Sequence, residues 1–243
     1  MRIPRVYTDQ ALASNCEVNL EISSSHHLSR VIRLRTGDSL KLFNGNGEEY
    51  SGTITGSTKK NISVDVEMLL RTEPVAPLAI NLLIGISRGE RMDYALQKAV
   101  ELGVSNISPI FTTRCMVKLT GKRLQQRMQH WRNILINACE QSGRCRLPDL
   151  SVPCALSEAL MKFPDGTSLL LHHLSEQTLW ELETPQGMLT ILVGPEGGLS
   201  DEEREFAIHR GFIAVRLGPR IMRTETAPLA AIAAIQTLWG DFR

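Results

Sequence analysis

Residues 189–203 read Leu189-Thr190-Ile191-Leu192-Val193-Gly194-Pro195-Glu196-Gly197-Gly198-Leu199-Ser200-Asp201-Glu202-Glu203. An apolar run ends at Val193, a glycine-rich turn follows, and Ser200 with Glu203 has the spacing of a capping box that opens a helix. An apolar run bounded by turn residues is the pattern of a strand buried on both faces, as in a parallel sheet. Ligands of such sheets sit beyond the carboxyl ends of the strands, where this loop lies. Its glycines let the backbone approach a ligand closely and turn amide N–H groups toward it. The loop lacks the Lys-Ser/Thr of a Walker motif and the spacing of the dinucleotide fingerprint, which argues against a nucleotide triphosphatase and an ordinary NAD site. A plain strand-to-helix turn is the bland alternative.

Working outward, strands and helices alternate through the rest of the second half. Strands are predicted over 80–86, 107–111, 168–172, 189–193 and 214–217. Helices are predicted over 91–102, about 122–141, from Asp201, and 227–239. The first should bury Met92, Ala95, Leu96, Ala99 and Val100 and end at Gly103. The last is apolar on nearly every face (Leu229, Ala230, Ile232, Ala233, Ile235, Leu238) and is expected to be buried. Repeated βα units predict an α/β domain, a parallel sheet covered by helices. The first seventy residues differ, with strands predicted over 18–22, 39–43, 48–55 and 62–70. The last of these should place Ile62, Val64, Val66 and Met68 on one face. Asn44-Gly45-Asn46-Gly47 between two strands reads as a hairpin turn rather than a phosphate loop. Residues 26–34 have helical spacing and carry Arg30 and Arg33, so a small barrel with one embedded basic helix is expected. Glu73-Pro74-Val75-Ala76-Pro77 interrupts both patterns, dividing the chain into 1–72 and 73–243.

A second loop, Leu217-Gly218-Pro219-Arg220-Ile221-Met222-Arg223-Thr224-Glu225-Thr226-Ala227-Pro228, again joins a strand to a helix. Thr226 is the expected N-cap, with Pro228 in the first turn. Ile221 and Met222 beside Arg223 and Glu225 suit an adenosine-like ligand, an apolar wall with charged groups at its rim. Two such loops in one sheet predict a shared pocket. Charged and amide groups also gather at helix ends in Arg88-Gly89-Glu90-Arg91-Met92-Asp93 and Glu140-Gln141-Ser142-Gly143-Arg144, as substrate-positioning groups would.

The 243 residues are 42% hydrophobic and 22% charged, enough apolar material for a real core. No apolar run approaches the roughly 18 residues of a membrane span, and the first residues lead into no secretory signal. Five cysteines with no C-x-x-C pair argue against a disulfide framework and a zinc site. No metal is expected, and a reducing cytoplasm is the simplest location. The net charge is only +1, but between Thr112 and Leu147 eight basic residues meet a single acid, Glu140, for a local charge of +7. Such a segment is the footprint of a polyanion contact, and few interleaved glutamates offer the pairing of a solvated helix face.

Together these stretches resemble the RsmE family of 16S ribosomal RNA uridine-N3 methyltransferases, within the SPOUT superfamily. The resemblance rests on Arg2-x-x-Arg5-x-Tyr7, His27-Leu28-x-Arg30-Val31, Gly89-x-Arg91-Met92-Asp93, Glu140-Gln141-Ser142-x-Arg144, Gly194-Pro195-Glu196-Gly197-Gly198 and Leu217-Gly218-x-Arg220-Ile221-x-Arg223-Thr224-Glu225-Thr226-Ala227. Met222 stands where the family usually has Leu, and Leu171-His172-His173 departs mildly from its pattern. The resemblance implies a PUA-like RNA-binding barrel ahead of a catalytic domain with a deep trefoil knot, an exception to the usual unknotted connections. It further implies a homodimer, S-adenosylmethionine as cofactor, and small-subunit ribosomal RNA as substrate.

Carried over, the cofactor positions are Leu171, His172, Gly194, Pro195, Glu196, Gly197, Leu217, Gly218, Ile221, Met222, Arg223, Thr224, Glu225, Thr226 and Ala227. Expected RNA contacts are Arg2, Arg5, Arg30, Arg33, Arg91, Lys122, Arg123, Arg127 and Arg132. Uridine N3 must lose a proton before it can accept a methyl group. Glu140 or Glu225 is the candidate base, and Arg144, Arg220 and Arg223 are candidates to stabilise the uridine anion. A non-catalytic RNA-binding protein accounts for the basic segment equally well but gives no reason for two pocket-forming loops.

Overall fold

In the first part of the chain, β1 (Arg5–Tyr7), β2 (Cys16–Asn19), β3 (Ser39–Phe43), β4 (Glu48–Ser57) and β5 (Ile62–Thr72) form one sheet in the order β1-β3-β4-β5-β2. The computed structural model describes residues 3–21, 25, 28, 34–58, 61–162 and 166–242. Arg2, Arg30, Arg33 and most of the helix expected over 26–34 lie outside them. β1 pairs in parallel with β3, and the other pairings are antiparallel. Val6, Val18, Leu28, Leu40, Leu42, Ile54, Ile62, Val64 and Val66 form its apolar core.

The expected alternation of β5 holds through Val66 and then fails, for Met68 is 60% exposed. β2 covers only residues 63–66 of β5, so the longer strand runs on past its neighbour. Its pairing with β4 is also irregular between Tyr50 and Gly52, and an irregularity there disturbs the two-residue period. The chain packs as two units, 1–75 with 136–147, and 76–135 with 148–243.

The second unit is built on a parallel sheet. Its strands are β6 (Ile80–Gly85), β7 (Asn106–Phe111), β8 (Asp149–Leu150), β9 (Cys154–Ala155), β10 (Gly166–Leu171), β11 (Met188–Val193) and β12 (Ile213–Val215). The order is β12-β10-β11-β6-β7-β8, with β9 also on β7. β6 is buried at every residue, as a central parallel strand covered on both faces must be.

The helices are α1 (Glu90–Glu101), α2 (Gly121–Ser142), α3 (Leu156–Met161), α4 (Asp201–His209) and α5 (Thr226–Trp239). α1 buries the five residues expected of it. Leu83, Ile110, Leu170 and Leu192 pack with Leu156, Leu160 and Ala207 of α3 and α4. Alternate strand residues such as Ile191 point to the opposite face, and α1 packs against α5. Among the described residues no helix is long and apolar enough to cross a membrane.

Two expectations at the last helix need correction. Glu225, not Thr226, is the N-cap, and its side chain makes no capping bond. The helix buries Pro228, Ala231, Ile232, Ile235 and Gln236, while Leu229, Ala230, Ala233 and Trp239 stay partly open. A helix this apolar can satisfy its own domain with one face only, because a sheet covers one stripe.

Candidate functional site

The carboxyl ends of β6, β10, β11 and β12 come together because the register aligns them. Val193 is opposite Ile84, Leu192 opposite Leu170, and Leu171 opposite Val215. The chain leaving β11 turns so sharply that a Cβ on Gly85 would lie 2.4 Å from the nitrogen and Cδ of Pro195. Glycine at the end of β6 lets the two strand ends approach.

Beyond this edge lies a cavity of about 590 Å³, within the range of small-molecule sites. Both glycine-bearing loops line it. Of the expected cofactor residues, Leu171, His172, Gly194, Pro195, Glu196, Gly197, Leu217, Gly218, Ile221, Met222, Arg223, Thr224, Glu225 and Ala227 do so, as do Arg91 and Arg220. Thr226 is not in the lining; as the first residue of α5 it is exposed.

The loops are braced from several sides. Glu196 Oε1 accepts the backbone N–H of Arg88 at 2.9 Å and lies 3.5 Å from Arg91 Nη1. Burial works to raise the Glu196 carboxyl, but that N–H and the Arg91 charge outweigh it and hold it below the usual carboxylate range. On the other side the expected capping box is present, with Ser200 Oγ accepting the Glu203 N–H and Glu203 Oε2 accepting the Ser200 N–H. The other Glu203 oxygen accepts both the backbone N–H and the hydroxyl of Thr113, at 2.7 and 3.1 Å. Arg114 donates to the Gly197 carbonyl at 3.1 Å, and a Cβ on Gly197 would press to 3.0 Å from Arg114 Cβ. Thr224 donates from Oγ1 to the Gly194 carbonyl at 2.9 Å, tying the two loops to each other.

Two ionisable groups inside the cavity bear on its chemistry. His172 is held below the ordinary histidine value, first by burial and then by the neighbouring charges of Arg204 and His173, which favours the neutral imidazole. Glu225 Oε2 is buried with no hydrogen-bond partner among the described residues. A buried carboxylate oxygen in that condition is costly unless a ligand supplies the donor.

Sequence reasoning missed Arg114, His173, Arg204 and Arg216, all of which line the cavity. Arg114 follows the carboxyl end of β7, so the strand-end rule that found the two loops was the signal available for it. Arg204 and Arg216 carried none.

Of the remaining candidates, Glu140, Arg144 and Arg5 belong to the first unit, and Lys122, Arg123, Arg127 and Arg132 to the second. Glu140 Oε1 accepts the Tyr7 backbone N–H at 3.0 Å, and Arg144 faces Glu73 at 3.9 Å. The side chain of Arg5, expected to touch RNA, is only 8% exposed. Its guanidinium pairs with Glu49 and donates to the carbonyls of Cys139, Glu140 and Arg144, so no part of it is left for a phosphate. In α2, Lys122 and Arg123 are exposed, while Arg127 lies 3.9 Å from Asp93 and Arg132 is half-buried.

Residues 74–236 match the model of an RNA methyltransferase domain, and residues 23–67 that of an RNA methyltransferase PUA domain. Ribosomal RNA small subunit methyltransferase E of Buchnera aphidicola (subsp. Schizaphis graminum) is 34% identical, over 99% of this chain and 98% of its own length. Among solved structures, ribosomal RNA small subunit methyltransferase E from Neisseria gonorrhoeae, bound to S-adenosyl methionine, superposes with a TM-score of 0.92 at 40% identity over both whole chains. A methyltransferase of Legionella pneumophila in complex with the same cofactor gives 0.96 at 35% identity, again over both whole chains.

Proposed function

The chain belongs to the RNA methyltransferase family that includes the ribosomal RNA small subunit methyltransferase E proteins, and on that premise we propose that it methylates small-subunit ribosomal RNA with S-adenosylmethionine, at N3 of a uridine. The observation that carries this reading is the cavity at the strand ends, with the unpartnered Glu225 oxygen inside it. S-adenosylmethionine has the ammonium and ribose hydroxyl donors that such an oxygen lacks, and Ile221 and Met222 are apolar partners for its adenine. The backbone of Gly194 to Gly197 and of Leu217 to Gly218 would hold it, with Leu171 and His172 beside them.

Bound there, the cofactor supplies an electrophilic methyl group. The chain's own residues position the nucleotide, exclude water and take up the N3 proton. Glu225 is the proton acceptor best supported, since it alone of the two candidate carboxylates lines the cavity. Holding donor and acceptor in line supplies much of the rate in such transfers. The roles of Glu140 and Arg144 rest on the family resemblance.

In the same reading, residues 1–72 are the RNA-binding barrel and 73–243 the catalytic domain, in a cytoplasmic homodimer. The partly open apolar side of α5, with Leu229, Ala230 and Ala233, supports self-association, and sedimentation of dilute protein tests it. A trefoil knot is supported by the path after β12. That segment leaves the sheet edge and reaches Gly194 and Ser87 through Thr224, while the connection from β10 to β11 pairs back onto Arg216 through Gln177 and Thr178. Two measurements test the function. S-adenosylmethionine should titrate calorimetrically at one site per chain, and digestion of treated 16S RNA should release N3-methyluridine. RNA methylated at another base atom, or no methylation with cofactor bound, would overturn the assignment at the corresponding level.

A further inference from the structure

Six arginines line the cavity, Arg91, Arg114, Arg204, Arg216, Arg220 and Arg223, against two carboxylates, Glu196 and Glu225. S-adenosylmethionine does not account for that surplus. It carries a sulfonium and an ammonium cation against one carboxylate, so it adds positive charge to a site already positive. An anionic occupant is therefore still missing.

The arginines differ in what they already do. Arg114 is bound to the Gly197 carbonyl, Arg204 donates to the Leu199 carbonyl and pairs with Asp201, Arg91 faces Glu196, and Arg216 interacts electrostatically with Glu181. Arg220 and Arg223 make no ion pair with any described residue, and both are exposed. Their backbone is nevertheless held in place. The Arg223 carbonyl accepts the N–H groups of Thr226 and Ala227, each at 2.9 Å, and Thr224 is bonded to Gly194. Between the two cations Ile221 is 78% exposed, an apolar surface at the level of the charges.

Resting on the cofactor reading of this cavity, we propose that Arg220 and Arg223 form a phosphate site at its mouth, holding the RNA backbone beside the nucleotide that enters. A cation that stabilises charge developing on a base works best in a desolvated site of low dielectric. Exposed guanidinium groups on an anchored loop suit a phosphodiester, which stays at the surface while its base turns inward. Arginine's planar fork also matches phosphate oxygens in pairs.

The test uses the full-length protein with oligouridylate as the probe, its affinity measured over a salt series for wild type, Arg220→Gln, Arg223→Gln and the matching lysine variants. Each glutamine variant should flatten the log–log salt slope by about 0.7, the value for one phosphate on a single strand. Each lysine variant should restore the slope, since a point cation also neutralises one phosphate. Calorimetric affinity for S-adenosylmethionine, measured on every variant, separates the loss of a phosphate contact from a disturbance of the cofactor pocket that these residues line. Slopes that superimpose on wild type while cofactor affinity stays intact overturn the phosphate site alone. Unaltered slopes with a fall in turnover at saturating RNA also overturn it, and assign both arginines to the reacting base. Wild-type protein that takes up no S-adenosylmethionine overturns the cofactor reading beneath the proposal, and the charge argument with it.

Discussion

Arg5 of β1 and Glu49 of β4 face each other in the sheet of the first unit, Nε to Oε1 at 2.5 Å, with side chains only 8% and 2% exposed. Arg71 and Lys41 reach the second oxygen of Glu49, each at 3.2 Å, and the Arg5 guanidinium also lies 4.7 Å from the centre of the Phe43 ring. Burial works to raise the Glu49 carboxyl, but the hydrogen bonds from Arg5, Arg71 and Lys41 prevail and hold it below the ordinary value of 4.5. A carboxylate lowered on folding stabilises the fold fully above its unfolded value and less as pH falls through the folded one. Stability should therefore decline below about pH 4.5, more steeply than in Glu49→Gln. At neutral pH that variant should lose about 3 kcal/mol, since it leaves Arg5 buried without its counter-charge. Urea melts from pH 7 to pH 3 read both effects, and identical pH profiles for the two proteins would remove Glu49 from the account.

Glu203 joins the start of α4 to Thr113. Glu203→Ala should cost about 1 kcal/mol of stability through the lost cap. It should also weaken S-adenosylmethionine binding about tenfold, because the bonds that brace the loop are gone. Glu203→Gln, which keeps one acceptor oxygen, should fall between. Cofactor affinity that follows neither substitution would reduce Glu203 to a helix cap.

At Gly197 an added side chain meets Arg114 before it meets the cavity. Gly197→Val should thus act by driving the Arg114 segment away, at a cost of about 1–3 kcal/mol for overpacking, and cofactor affinity should drop at least tenfold. A folded variant with wild-type affinity would show that this stretch does not touch the cofactor.

In α2, Lys122→Ala and Arg123→Ala should each weaken RNA binding and lower the salt slope by about 0.7 to 0.9. Arg127→Ala should do less, because Arg127 is already drawn toward Asp93, which also accepts His130 at 2.7 Å. If all three curves superimpose on wild type, the basic helix is a solvated face.

Most elements of the second unit were readable because their signals are local, although the short helix α3 was not expected. A capping box spans four residues and a helical face repeats every three or four, so Ser200 to Glu203 and the buried side of α1 could be recognised without knowing what they pack against. The two glycine-bearing loops were legible for the same reason, and they do line one cavity. β1 and the short strands β8 and β9 were not, since two or three residues are too few for a period to show. Nor was the exposure of Met68, which depends on where the neighbouring strand β2 ends.

What the amino-acid sequence determined by itself was the order of the longer strands and helices, the two glycine loops at strand ends, and an excess of cations in the middle of the chain. What only the tertiary structure decided was the fate of each cation. Arg5 and Glu49 are 44 positions apart, Arg114 and Gly197 are 83 apart, and Arg71 reaches the Gly143 carbonyl across 72. Whether a guanidinium is buried against a partner or left for a phosphate follows from burial and hydrogen-bond geometry between distant segments, and neither is a property of the residue or of its neighbours in the chain.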